Sequence, residues 1–260
     1  MVAVGTRTRS WRSRADAEFQ NRTIRELKRR FGGTFRSDRG ANRYFPLHGP
    51  DRREAEAGAF RAFSIFGDNY ASAGLYIQNM PIGDSKHREL PEVLRFVFPV
   101  VNASNMIVPF FVAITEEYFR STYVALLRYS PKRDDVLRNI RLTAAEAAQI
   151  RDDGELLEEV VARTKMSFQN LERVQSQFKA LNSRYDVAGW LRQPYRSRQE
   201  TPYDTLSRLV SHRHALVHRA VILSAYDNVD ADRDLKSIRA GVNRIYTNLV
   251  GLHGWSAEAA

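Results

Sequence analysis

The segment Leu206-Ser207-Arg208-Leu209-Val210-Ser211-His212-Arg213-His214-Ala215-Leu216-Val217-His218-Arg219 carries the periodicity that decides the fold class. At about 100° per residue, Leu206, Leu209, Val210, Leu216, Val217 and Ala220 share one arc, which predicts a helix over 203–223. Arg213 falls in the middle of that arc. An unpaired charge on a core-facing stripe costs several kcal/mol, so the stripe either borders a polar cleft or meets a partner. His214 follows Arg213 directly, and His218 lies one turn further along.

The neighbouring sequence is helical on both sides. A helix is predicted from Asn105 to about Tyr129, with Pro109 in its first turn and Pro131 closing it. Thr143-Ala144-Ala145-Glu146 is a capping-box pattern for a short helix. Glu155 to about Ala180 reads as one helix, with Phe168, Leu171, Val174, Phe178 and Leu181 as its apolar stripe. Residues 182–202 form a loop with a turn near Trp190, and Asp234–Leu249 is the last helix. The expected architecture of 105–253 is therefore a bundle of four to five helices with one long crossover loop.

Residues 1–100 are different. Residues 1–14 are arginine-rich and expected to be flexible. Residues 15–100 are expected to form a small α+β unit, making the whole chain mainly α. Ala15–Phe31 reads as a helix ended by Gly32-Gly33. Thr34–Arg36 and Asn42–Phe45 read as strands of a hairpin around Asp38-Arg39-Gly40. Asp51 opens a helix through Phe66, and Leu75–Ile77 and Phe96–Phe98 suit strands.

The chain has no cysteine, which excludes disulfides, thiolate metal sites and cysteine nucleophiles. Its longest apolar run, Met106–Ile114, is short of the roughly 20 residues a bilayer needs. The N-terminus lacks the apolar core of a secretory signal, so a cytoplasmic location is expected. Net charge is +10, and residues 1–60 hold fourteen Lys/Arg against seven Asp/Glu. A basic surface of this kind attracts phosphate polymers or an anionic membrane.

Histidine moves protons near neutral pH, and arginine stabilises charge developing on a phosphate. RNA brings its own nucleophile in the 2′-hydroxyl, so this residue set suits cleavage without a metal or cofactor. Two rivals stand beside that reading. His214 and His218 are four apart, as in helical zinc pairs, although Ala215 replaces the glutamate that would follow the first histidine. The second is a binding module without catalysis. Arginines interleave with aromatics at Phe35-Arg36, Arg43-Tyr44-Phe45 and Phe60-Arg61, which suits single-stranded nucleic acid, although such aromatics more often pack in a core.

Arg213-His214-Ala215-Leu216-Val217-His218 resembles the Arg-(Asn/His/Asp)-x-x-x-His signature of HEPN-domain proteins, many of which are ribonucleases. Ser167–Val174 and the helix carrying Glu116-Glu117-Tyr118-Phe119 resemble the RiboL-PSP-HEPN group, so that the likeness covers about 105–250. The resemblance implies a homodimer whose two copies line one cleft. It makes His218 the general acid or base and Arg213 the phosphate ligand, with His214 assisting and Glu117 in support. It implies RNA as substrate and an antitoxin or regulatory protein as a further partner, in a toxin or phage-defence setting. Some members of the group only dimerise.

Overall fold

A computed structural model describes residues 14–37, 40–44, 54–80, 89, 91–95, 97–138, 140–152, 156–195 and 199–255. The described chain is mainly helical, and it divides into a smaller unit, Met1–Ala57, and a larger one, Gly58–Ala260. The expected flexible stretch 1–14 lies almost wholly outside the described residues.

In the smaller unit, α1 (Arg14–Phe31) ends at Gly32, whose amide bonds back to the Lys28 carbonyl and whose φ of 66° suits glycine. Two short strands follow, β1 (Arg36–Ser37) and β2 (Gly40–Ala41), paired antiparallel. Of the expected strands only Arg36 is paired: Asn42–Tyr44 lie beyond β2, Phe45 lies outside the described residues, and Gly40, expected in the turn, is in β2. Asn42 ends the pairing by turning to a positive φ of 55°, a conformation asparagine tolerates.

In the larger unit the elements are α2 (Glu54–Gln78, from Gly58 onward), α3 (Glu92–Arg95), α4 (Pro99–Arg128), α5 (Arg133–Leu137) and α6 (Ala144–Asp152). They continue with α7 (Leu157–Lys165), α8 (Leu171–Leu181), α9 (Val187–Leu191), α10 (Pro202–Arg219) and α11 (Asn228–His253). The core is centred on α4, which packs against α7, α8, α10 and α11. By length and composition α4 could cross a bilayer, although the apolar run Met106–Ile114 alone is too short to do so. More than half of its most apolar window is buried inside the bundle.

Several expectations need correction. Leu75–Ile77, expected as a strand, form the last turn of α2, where Ile77 is buried and Leu75 and Tyr76 are exposed. Three apolar residues are too few to reveal a period, and burial of Phe66, Ala73 and Ile77 on one helical face decides the matter. Val97 and Phe98 form a turn rather than a strand, their amides bonding back to Leu94 and Arg95, while Phe96 lies outside the described residues. α4 starts at Pro99, not Asn105. Pro99 takes the first-turn position expected of Pro109, which lies inside the helix.

The single helix expected over 155–180 is two helices, α7 and α8. Asn170 opens the second by accepting the Arg173 amide at 3.0 Å as an N-cap, yet Phe168 in the break is still buried. The Thr143–Glu146 capping box is present, with both reciprocal bonds formed. Gly241 lets α11 approach closely: a Cβ there would lie 2.7 Å from Leu191 and 2.9 Å from Pro202 at the start of α10.

Candidate functional site

α10 begins with a full capping box. The Thr201 side chain accepts the Asp204 amide, and the Asp204 carboxylate accepts the Thr201 amide, with Pro202 at the first helical position. Leu206, Leu209 and Leu216 are buried. The helix stops at Arg219, four residues before its expected end, because Ala220 adopts the left-handed conformation (φ 52°) and Val221 bonds back to the Ala215 carbonyl. Alanine carries a Cβ penalty in that conformation. Ala220→Gly is therefore expected to stabilise the protein by about 1 kcal/mol, read as a raised midpoint in urea unfolding. An unchanged or lowered midpoint would contradict this account of the helix end.

α4 and α10 run antiparallel. Asn105 near the start of α4 meets His212 late in α10, whereas Phe119 further along α4 shares a shallow pocket with Leu206 and Val210. Rotation along antiparallel helices proceeds in opposite senses when viewed from one end, so corresponding arcs lie on one side of the pair. By that geometry Met106 and Phe110 of α4 fall on the same side as Arg213 and Val217 of α10. Met106, Phe110 and Val217 are all exposed.

Of the three motif residues, His214 and His218 lie on the exposed face of α10, and Arg213 lies at the flank of its buried face. Arg213 is half-buried and, among the described residues, makes no hydrogen bond or ion pair. The exposed rings of His214 and His218 lie 4.6 Å apart, their planes tilted by 46°. The sequence puts Arg213, His214 and His218 on one helix; the structure brings the two histidine rings together, with Arg213 about 140° round the helix from His218.

The supporting carboxylate differs from expectation. Glu117 is held by Arg120 and by the Ser121 hydroxyl at 2.6 Å, both on its own helix. Its neighbour Glu116 faces the site instead. Glu116 Oε2 accepts a hydrogen bond from Gln169 at 3.4 Å, and Oε1 is buried without a partner. Burial pushes the Glu116 carboxyl above its usual range, partly opposed by the Gln169 bond and by the positive charge of Arg213. The two are not separable by sequence, since they are adjacent on a helix whose start and rotation only packing reveals.

His212, the third histidine of the segment, is structural. It is buried, and its Nε2–H donates to Asn105 Oδ1 at 2.8 Å. The same Asn105 oxygen accepts the Leu223 amide at 2.8 Å, and its Nδ2 donates to the Leu223 and Val101 carbonyls at 3.0 and 2.8 Å. Tyr226 meets the His212 ring edge-on. Its hydroxyl donates to Asp234, a carboxylate clasped by both terminal nitrogens of Arg208. One polar network thus ties α4, α10, the loop after α10 and α11.

Burial, reinforced by Arg208, lowers the His212 pKa to about 4. The unfolded chain protonates this histidine at its ordinary value near 6.5, the folded chain only near 4, so the folded state binds fewer protons in between. Its contribution to stability is complete above pH 6.5 and is lost as pH falls from there towards 4, by at most about 3 kcal/mol. His212→Gln is expected to flatten the stability-versus-pH curve between 6.5 and 4. Parallel curves for the two proteins in denaturant titrations would show that His212 is not the group responsible.

Among the described residues no group of three or more His, Asp or Glu side chains is placed to hold a metal. No family model, no curated protein and no solved structure matches this chain.

Proposed function

We infer that this chain is a metal-independent endoribonuclease of HEPN type, with its larger unit as a HEPN-like bundle. The observation carrying this reading is Arg213: a half-buried cation without a hydrogen bond or ion pair among the described residues, on the helix that also presents the paired rings of His214 and His218. A group held that way is ready for an anion. In the proposed reaction one imidazole takes the 2′-hydroxyl proton and the 2′-oxygen bonds to phosphorus. The bond to the 5′-oxygen then breaks, and that oxygen leaves with a proton from a second imidazole. The products are a 2′,3′-cyclic phosphate and a 5′-hydroxyl. His218 serves as one of the proton-transfer groups, His214 assists, and Arg213 stabilises the charge on the phosphate.

The exposed Met106, Phe110 and Val217, on the side of the α4–α10 pair that carries Arg213 by helical geometry, support a homodimer across this face, so that two copies share one cleft. Incubation of purified protein with RNA in EDTA, followed by mapping of the ends, tests the chemistry. Intact RNA at several-fold molar excess of protein would remove the enzymatic reading. Light scattering that finds a monomer at micromolar concentration would remove the shared cleft. The rival reading, a dimerisation module with a basic nucleic-acid-binding N-terminal unit, predicts RNA binding without new ends.

A further inference from the structure

The smaller unit contains a surface that the reaction does not use. α1 carries five exposed cations in one run: Arg22, Arg25, Lys28, Arg29 and Arg30. They fall into two sets. Arg29 and Arg30 share the single carboxylate of Glu26, each at 2.8 Å, so that the trio keeps a net charge of +1. Arg22, Arg25 and Lys28 have no carboxylate partner among the described residues. These three recur every third residue, which makes a slowly turning stripe along the helix.

Aromatic rings cover part of the same stripe. The hairpin brings Phe35 and Tyr44 together at 4.8 Å between centroids. The Asn42 amide fixes this return by bonding to the Phe35 carbonyl at 2.8 Å. Arg25 lies 5.3 Å from the Tyr44 ring, and Lys28 lies 5.7 Å from the Phe35 ring. Each cation is thereby oriented by a ring without being neutralised, since a π-face supplies no formal charge. Tyr44 is still 37% exposed. Beside the stripe is an open depression of about 250 Å³ bordered by Glu18, Asn21, Arg22 and Arg25.

We propose that α1 and the hairpin form a binding platform for single-stranded RNA, in which Arg22, Arg25 and Lys28 hold phosphates and the Phe35–Tyr44 pair stacks on an unpaired base. Unneutralised cations in a row match a polyanion by charge. The adjoining exposed ring selects a strand whose bases are open, because a duplex keeps its base faces stacked inside. An anionic membrane would also satisfy the cations, and the exposed Phe19 and Phe31 of α1 would suit its interface. What favours RNA is that the Phe35 and Tyr44 rings lie against the cations themselves, as a stacked base beside its phosphate requires. The proposal deepens the ribonuclease reading by naming how substrate is gripped, and it rests on that reading only for the choice of RNA.

The test uses the full chain carrying His218→Ala, so that RNA survives the measurement. Fluorescence anisotropy compares an oligouridine of about 12 nucleotides, within the site sizes of single-strand binders, with a duplex of equal length and with vesicles rich in anionic lipid. Each is titrated from about 50 to about 200 mM salt, the range over which phosphate contacts weaken. The expected result is tighter binding of the single strand than of either alternative. Replacing Arg22, Arg25 and Lys28 together by glutamine should weaken binding about tenfold or more and reduce the slope of log affinity against log salt by about 2. Tyr44→Leu, which keeps apolar packing under the hairpin, should weaken binding about fivefold or more, and Tyr44→Trp should retain it. Equal affinity for the duplex, a preference for vesicles, or unchanged binding in the glutamine variant would each overturn the platform. Cleavage is measured separately on protein with His218 intact. Binding without cleavage sinks the ribonuclease reading and leaves the platform standing; cleavage with binding unaltered by these substitutions does the reverse.

Discussion

Arg213→Leu is expected to lower RNA cleavage by about 100- to 1000-fold while leaving the protein as stable as before, or up to about 1 kcal/mol more stable. The two halves of that expectation have one cause. Arg213 is half-buried on an arc of leucines and valines and forms no ion pair or hydrogen bond among the described residues, so its desolvation is offset only in part, by the charge of Glu116. A leucine there continues the apolar stripe. What disappears is the charge facing the phosphate as it accumulates negative charge. Arg213→Ala should show the same loss, and Arg213→Lys should restore only part of the activity, because an ammonium lacks the forked geometry of a guanidinium. His218→Ala should cost about 100- to 10,000-fold, the range for losing a proton-transfer group. It should do so without altering the unfolding midpoint, since the ring is exposed at the end of α10. Wild-type rates in either variant would refute the site assignment. An Arg213→Leu protein that unfolds more easily would show that the arginine is structural, and the shared-face argument would fall with it.

The largest effect on stability is expected from Asn105→Ala, about 3–4 kcal/mol, or a drop of roughly 10 °C in Tm. Asn105 is fully buried and closes four bonds between three segments. Removing it leaves the buried His212 Nε2–H and the part-buried Leu223 amide without their acceptor, costing about 1–3 kcal/mol for the first and less for the second, which water can reach. His212 would then have both ring nitrogens unsatisfied, because Nδ1 is already buried without a partner. The segment from Ala220 to Tyr226 also loses its tether to α4, so the end of α10 that carries His218 should become more mobile. A double-mutant cycle checks the mechanism. Asn105→Ala combined with His212→Phe should cost less than the sum of the two single changes, since the orphaned histidine is gone. Strict additivity would mean that the two residues do not act through their shared bond.

Much of the helical half can be read from periodicity and caps. α10 is visible from its leucine spacing, α6 from Thr143 and Glu146, and the turn of helix at Trp190 from its setting between loop residues. Short apolar runs mislead. Leu75–Ile77 looks like a strand because three residues carry no period, and only packing against the rest of the bundle makes it helix. The break at 166–170 is hidden because Phe168 keeps the apolar stripe going through it, so the sequence signal for one helix survives although the backbone does not follow.

For the candidate site, the sequence by itself determined that Arg213, His214 and His218 share one helix and that Arg213 interrupts an apolar arc, because helical geometry converts spacing directly into angle. Which histidine is structural was decided only in three dimensions. His212, His214 and His218 are chemically equivalent in the sequence, and burial against Asn105 and Tyr226 singles out the first. The choice between Glu116 and Glu117 was likewise tertiary. Adjacent residues on a helix differ by about 100° in direction, so the register of α4 against α10 alone sends one carboxylate towards Arg213 and the other to Arg120.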